Sequence, residues 1–141
     1  MAAQTGVLPS LHHPLTKLFP TVSATDIGVL AADLLLTTIG SDRPRIVHAE
    51  GPRRYTPMDV AAALSKVIGR EVVARELPRS EWVPALVRGG VTESYAGLVA
   101  ELFATHNARR IDAERGVGEV RRCPTELADV FRSLAARTRV Q

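Results

Sequence analysis

The chain has 141 residues, a usual length for one small globular domain and enough to bury roughly two-thirds of its unfolded surface. Hydrophobic residues make up 45% and charged residues 23% of it, which excludes the composition of a disordered protein. The 18 basic and 15 acidic side chains leave a net charge of only +3, so charge alone does not indicate a nucleic-acid partner.

The sequence shows no sign of secretion or of a membrane anchor. Cys123 is the only cysteine, which excludes an internal disulfide and suits a reducing cytoplasm. Residues 1–6 lack the basic and apolar regions of a signal peptide. The longest apolar run, from Ile27 to Ile39, is interrupted by Asp33 and is too short to span a bilayer. We therefore expect a cytoplasmic protein without a membrane partner.

The first predicted elements are an extended segment, a helix and a strand. Residues 1–20 contain three prolines and no clean period, which predicts an extended lead-in segment that lies against something else. Apolar residues then recur at helical spacing from Asp26, whose carboxylate is placed to cap the first turn, until Gly40 ends the helix. Residues 45–49, centred on Ile46-Val47, predict a short buried strand.

The next helix carries the clearest boundary signals in the chain. Thr56 followed by Pro57 predicts a capped helix start, and Gly69 predicts its end. The residues between them that recur as one apolar face are Val60, Ala61, Leu64, Val67 and Ile68. Residues 71–77 predict a second strand.

The remainder predicts three more helices. Ser80 is placed to cap a short helix that carries Trp82, and Thr92 is placed to cap the next one. The residues expected to share the buried face of that second helix are Tyr95, Leu98, Val99, Leu102 and Phe103. A polar loop follows from Asn107 through Glu119, and the last helix is expected to begin near Thr125.

The predicted fold class is therefore α/β, small and helix-rich, with two or three short strands. So few strands make a poor sheet alone, and such a sheet needs a partner.

Several segments in this order resemble the NmrA-like family of atypical short-chain dehydrogenases/reductases. The segments that carry the resemblance are Phe19–Gly28 with Ala31-Ala32, Glu50-Gly51-Pro52, Tyr55-Thr56, Asp59-Val60-Ala61, Leu64-Ser65, Ile68-Gly69-Arg70 with Val72, and Pro124-Thr125-Glu126-Leu127. Gly6–Ser10 is similar to the loop that precedes the Asp-Ile-Gly segment. The resemblance covers nearly the whole chain but only the C-terminal half of the family. It implies that residues 1–141 form one C-terminal subdomain, truncated or excised, of a Rossmann-type protein whose nucleotide-binding half is missing.

The function that this resemblance implies is the substrate side of an NAD(P)H-dependent oxidoreductase acting on a quinone-like or other small acceptor. Family members include non-catalytic redox sensors and regulators, so a regulatory or stand-alone binding module is the alternative. The chain has no glycine fingerprint for a dinucleotide after a strand, and Gly116-Val117-Gly118 lacks the third glycine. Tyr55 and Tyr95 are followed four residues later by Asp59 and Val99, not by lysine. We expect no cofactor on this chain alone and no catalytic competence, and NAD(P)H only in a complete family member.

By the same resemblance, a possible small apolar ligand contacts Leu8, Leu11, Trp82 and Tyr95 on the substrate side. Packing in the core is the alternative for Trp82, and it is the favoured interpretation for the helical stripe that includes Tyr95.

The remaining polar residues favour structural roles. His12-His13 lack the further ligands that a metal site needs, so no metal is expected, and His48 on its strand favours packing. Asp26 is interpreted as a helix cap, and Cys123 as an inert thiol. The pairs Arg53-Arg54, Arg109-Arg110 and Arg121-Arg122 come without a nucleic-acid-binding signature and are interpreted as solvated, so no nucleic-acid partner is expected.

Self-association is the last prediction from the sequence. The apolar residues of the lead-in segment, such as Leu15 and Leu18, have no period that would bury them in a helix of their own. Short strands also leave unpaired edges. Both features predict a homodimer.

Overall fold

The chain is a small α/β protein with four short strands, and a computed structural model describes residues 2–37, 45–111 and 116–138. The chain divides into two compact units, Met1–Lys17 with Thr56–Asp112, and Leu18–Tyr55 with Ala113–Gln141. Each unit holds one two-stranded parallel sheet. Among the described residues, no helix is long and apolar enough to cross a membrane.

The first unit contains a one-turn helix α1 (Ala2–Thr5) and strand β1 (Val7–Ser10), which pairs with β3 (Val73–Glu76). Val7 lies opposite Val73 and Ser10 opposite Glu76. Part of the predicted lead-in segment is therefore a strand that pairs within its own unit. The extended interpretation of residues 7–10 agrees with the structure, but their partner is β3 of the same chain.

Helix α3 (Pro57–Ile68) confirms the prediction made for it. The Thr56 hydroxyl accepts the Asp59 N–H at 3.1 Å, and the Asp59 carboxylate accepts the Thr56 N–H at 2.8 Å. These two bonds form a capping box, which satisfies backbone donors at the start of the helix. Gly69 ends the helix in the left-handed region at φ 70°, as its lack of a side chain permits.

Two more helices complete the first unit, α4 (Trp82–Arg88) after a 3₁₀ turn (Arg79–Glu81), and α5 (Glu93–Asn107). The predicted cap at Ser80 is wrong, because Ser80 lies inside the 3₁₀ turn and the residue before α4 is Glu81. Thr92 does precede α5, but its side chain makes no capping bond.

The face that α5 buries differs from the predicted one. Ala96 is fully buried and Ala100 is 4% exposed, whereas Tyr95, Leu98 and Leu102 are each more than half exposed. Ala96 and Ala100 are four residues apart and so lie on one face, where small side chains allow a close approach of the backbone. The large apolar stripe therefore lies mainly outside the core of this unit.

The second unit contains α2 (Ala24–Thr37), β2 (Val47–Glu50), β4 (Glu119–Arg122) and α6 (Leu127–Thr138). Strand β2 confirms the predicted strand to within one or two residues. The predicted loop, in contrast, ends in β4, whose Glu119 lies opposite Val47. Gly118 makes this pairing possible, because it adopts φ +74° and a Cβ there would lie 2.4 Å from the carbonyl oxygen of Ile46. Gly118 itself lies in a bend, which agrees with the predicted loop, and the strand that was not predicted begins at the next residue.

Helix α2 begins at Ala24, two residues before the predicted cap, and its end near Gly40 lies outside the described residues. None of its residues is buried. Its most exposed large apolar side chains are Val29, Leu35 and Leu36, at 67%, 73% and 74%.

Candidate functional site

A cavity of about 120 Å³ lies in the second unit, partly open to solvent and walled mainly by apolar surface. Its lining residues come from the segment before α2, the residue after β2, the end of the segment that follows, and the start of α6. They are Thr21, Val22, Ser23, Ala24, Gly51, Tyr55, Thr125, Leu127 and Val130. The volume approaches that of a cavity that accommodates one benzene ring, and it is well below the 300 Å³ or more of common cofactor pockets.

Tyr55 forms part of the wall and is held at both ends. Its backbone pairs with Phe19 in an isolated antiparallel bridge, and its hydroxyl donates to the Glu126 carboxylate at 2.6 Å. The Leu127 N–H donates to the same hydroxyl at 3.3 Å. Burial and the bond to Glu126 raise the pKa of Tyr55 above its ordinary value, so the phenol remains protonated at neutral pH. The Arg53 guanidinium lies over its ring at 4.3 Å.

Asp26 connects the start of α2 to the segment before α6. Its carboxylate accepts the Thr125 N–H at 3.0 Å and the Thr125 hydroxyl at 2.7 Å. The predicted helix-capping role of Asp26 is therefore replaced by a bond to a segment 99 residues away in the chain. This contact fixes two walls of the cavity relative to each other.

Gly51 allows a close backbone approach in the cavity wall. Its N–H donates to the Thr21 carbonyl at 2.6 Å, and a Cβ at this position would lie 2.7 Å from that oxygen. Any larger residue would push residue 21 away. The Glu50-Gly51 sequence thus joins the end of β2 to the segment that leads into α2.

A buried ion cluster lies directly beside this wall. Glu50 is 4% exposed, and its carboxylate accepts from Arg54 at 2.7 Å and from Arg122 at 2.9 Å. Arg122 also donates to the Gly51 carbonyl at 3.3 Å. The cluster neutralises a buried carboxylate and holds β2, β4 and Gly51 together.

Of the three arginine pairs interpreted as solvated, Arg109-Arg110 is exposed, whereas the other two pairs have intramolecular contacts. Arg53 contacts Tyr55, Arg54 and Arg122 contact Glu50, and Arg121 contacts Glu119 at 3.2 Å.

Trp82, predicted to cover a substrate, packs in the first unit instead of lining this cavity. It is 4% exposed, and its indole N–H donates to the Leu77 carbonyl at 2.6 Å. The His13 ring contacts it edge-on at 5.4 Å, and the Arg79 guanidinium lies over it at 4.6 Å. These contacts favour the core-packing alternative.

The other three predicted contact residues also belong to the first unit. Leu8 lies on β1 opposite Ala74, and the Leu11 carbonyl accepts from the Asn107 side chain at 2.7 Å. Tyr95 is 60% exposed in the first turn of α5. None of the four predicted residues is among those that line the cavity.

Histidines from two segments meet in the first unit. The His12 ring contacts Phe103 at 4.7 Å and His106 at 5.0 Å, both edge-on. Burial, with the neighbouring His106, Lys17 and His13, lowers the pKa of His12 to about 4, so its imidazole is neutral near pH 7. Among the described residues, no group of three His, Cys, Asp or Glu side chains is placed to hold a metal ion.

The remaining predicted positions have structural surroundings. Cys123 is a free, buried thiol, and its N–H donates to the Glu50 carbonyl at 2.7 Å. His48 lies on β2, and its ring contacts the Val117 carbonyl at 3.0 Å.

Thr21, Ser23 and Thr125 are wall residues that the sequence did not single out as ligand contacts. Their one signal was that they lie inside the segments that carry the family resemblance. Comparisons of the chain with family models, with curated proteins and with solved structures find no match.

Proposed function

We propose that this chain is the substrate-side portion of an NmrA-like, NAD(P)H-dependent oxidoreductase that reduces a quinone-like or other small acceptor in the cytoplasm. The observation that carries the proposal is the composition of the cavity wall. Eight of its nine lining residues belong to the segments of the resemblance, and Val130 is the exception. Segments far apart in the chain thus converge on one small apolar space, which supports a binding role for them.

The residues of the cavity fit an acceptor but do not fit NAD(P)H. A space of about 120 Å³ is too small for a dinucleotide, and the chain has no glycine fingerprint at a helix start after a strand. The proposal therefore assigns acceptor binding and exclusion of water to this chain, and no cofactor-binding step. The apolar wall desolvates the acceptor, and the bonds of Asp26 and Tyr55 keep the wall in place.

Calorimetric titration of the purified chain tests this division of roles. 1,4-Benzoquinone is a suitable probe for the Cys123→Ser variant, because it is a single unsubstituted ring, as a cavity of about 120 Å³ requires, and the variant has no thiol to which it could add. We expect saturable heat with 1,4-benzoquinone and none with NADH or NADPH up to millimolar concentration. Micromolar binding of either dinucleotide, or the absence of saturable heat with 1,4-benzoquinone, would contradict the proposal.

The second candidate function is a non-catalytic regulatory or binding module, and the exposed apolar side of α2 favours it. Val29 and Leu36 are seven residues apart and lie on one side of the helix, with Leu35 next to them, and a partner would cover these exposed apolar side chains. We propose that a second copy of the chain covers it in a homodimer. Light scattering at micromolar concentration should then give about twice 15.2 kDa, and Leu36→Glu should give the monomer. A wild-type monomer would refute the dimer, and a dimer unaffected by Leu36→Glu would refute this surface.

A further inference from the structure

The size of the cavity limits its ligand to one ring. Its volume of about 120 Å³ lies somewhat below the 150 Å³ of an apolar cavity that holds benzene. Since the cavity is partly open, small substituents have room at the mouth, whereas a second fused ring does not fit inside.

The charges around the cavity disfavour an ionised ligand. Asp26 and Glu126 carry carboxylates next to lining residues, and they already accept hydrogen bonds from Thr125 and Tyr55. An anion entering the cavity meets these two negative groups. A cation would lose its hydration against a mainly apolar wall while both carboxylates remain committed to protein donors.

The wall nevertheless offers hydrogen-bonding capacity for a neutral ligand. Thr21 and Ser23 line the cavity, and their hydroxyls make no hydrogen bond within the part of the chain that the structure describes. The Thr125 hydroxyl, in contrast, is used by Asp26. A hydroxyl both donates and accepts, so two of them suit either a carbonyl or a hydroxyl on the ligand.

From these three observations we propose that the cavity is a binding site for a neutral compound of one six-membered ring carrying a hydroxyl or carbonyl oxygen. Its apolar ring packs against Val22, Leu127 and Val130, and its oxygen bonds to Thr21 or Ser23. The inference rests on the proposed function only in the choice of site, because simple binding tests it without turnover.

Phenol is the probe, and the amide signals of Gly51 and Thr125 in a ¹H–¹⁵N NMR titration are the readout. We expect saturable shifts at these residues with phenol, at least tenfold weaker binding of benzoate and benzylammonium, and at least tenfold weaker binding of 1-naphthol. Binding of either ion as tight as that of phenol overturns the neutral class, and equal binding of 1-naphthol overturns the limit to one ring. The absence of shifts with phenol overturns the site itself.

Variants test whether phenol binds in this cavity. Val130→Phe fills the space and should weaken phenol binding at least tenfold, while Val120→Phe, the same change at an exposed position of β4, should leave it unchanged. The double variant Thr21→Val, Ser23→Ala should weaken phenol binding about fivefold and benzene binding less than twofold. This comparison still tests the site if the Val130→Phe variant fails to fold. Equal loss for both probes would refute the hydrogen-bonding role of the two hydroxyls.

Phenol binding together with a failed 1,4-benzoquinone titration would refute the reductase proposal and leave this inference intact. Binding of 1,4-benzoquinone without binding of phenol would refute this inference and leave the reductase proposal intact.

Discussion

The buried ion cluster gives the sharpest prediction for stability, because the same unit provides a matched control. Glu50 and Glu119 each contact two arginines on or near the β2–β4 sheet. They differ in burial, since the side chain of Glu50 is 5% exposed and that of Glu119 is 39% exposed. Substitution by Gln removes one charge in both cases and preserves the shape of the side chain.

Glu50→Gln should lower the free energy of unfolding by about 2 kcal/mol. Hydrogen bonds to a buried charged group contribute ~1.5–3 kcal/mol, and the amide NH₂ that replaces one oxygen faces an arginine donor. The loss stays below the 3–5 kcal/mol of fully buried pairs, because Arg54 and Arg122 are 29% and 51% exposed and regain water. Glu119→Gln should cost much less, because solvent screens its exposed ion pairs.

Urea denaturation followed by far-ultraviolet circular dichroism measures both variants. For a slope of about 1.5 kcal/mol per molar urea, the Glu50→Gln midpoint should fall by about 1.3 M. The Glu119→Gln midpoint should fall by much less. Amide exchange at Cys123, whose N–H donates to the Glu50 carbonyl, should accelerate in the first variant alone. Equal midpoints for the two variants would refute the argument from burial.

Three further predictions concern local features. Thr56→Ala removes the capping box and should lower the free energy of unfolding by about 1 kcal/mol in urea denaturation. Thr92→Ala removes no capping bond and should change it little, so equal losses would refute the capping account. Gly118→Ala should lower the free energy of unfolding by about 2 kcal/mol or more, because the backbone has a positive φ and the new Cβ would contact a backbone oxygen. Gly28→Ala lies in open space within α2 and should raise the melting temperature, because alanine favours a helix more than glycine does. The pKa of His12 is lowered to about 4, so the folded protein favours the neutral ring, and this contribution to stability is lost as the pH falls from about 6.5 to about 4. The expected loss is about 1 kcal/mol, because solvent screens this partly exposed group. An NMR titration that gives an ordinary histidine pKa would contradict this.

Local signals account for the part of the fold that the sequence predicted. Helix α3 was predicted from Thr56 to Gly69 because its start, its apolar face and its end are all encoded within neighbouring residues. Strands β1 and β4 were not predicted, since each has four residues and depends on a partner far away in the chain. Proline is also uncommon inside strands, and β1 contains Pro9.

Hydrophobicity alone also misplaced the buried face of α5. The larger residues Tyr95, Leu98 and Leu102 formed a regular stripe, but the helix buries Ala96 and Ala100. Which stripe faces the core depends on the space that neighbouring elements leave, and that information is not local.

The cavity lay beyond sequence reasoning for a related physical reason. Its walls come from four separate segments, and no one segment has the pattern of a binding loop. The resemblance did identify these segments, yet the contact residues expected from it, Leu8, Leu11, Trp82 and Tyr95, all belong to the other unit. The prediction from the sequence and the proposal from the structure therefore place the acceptor site in different units of the chain, the first and the second respectively.

A ¹H–¹⁵N NMR titration of the Cys123→Ser variant with 1,4-benzoquinone decides between them and tests the central proposal most directly. We predict saturable shifts at Gly51, Thr125 and Leu127, and their loss in Val130→Phe. Shifts concentrated instead around Trp82 would contradict the assignment of the acceptor to the cavity of the second unit.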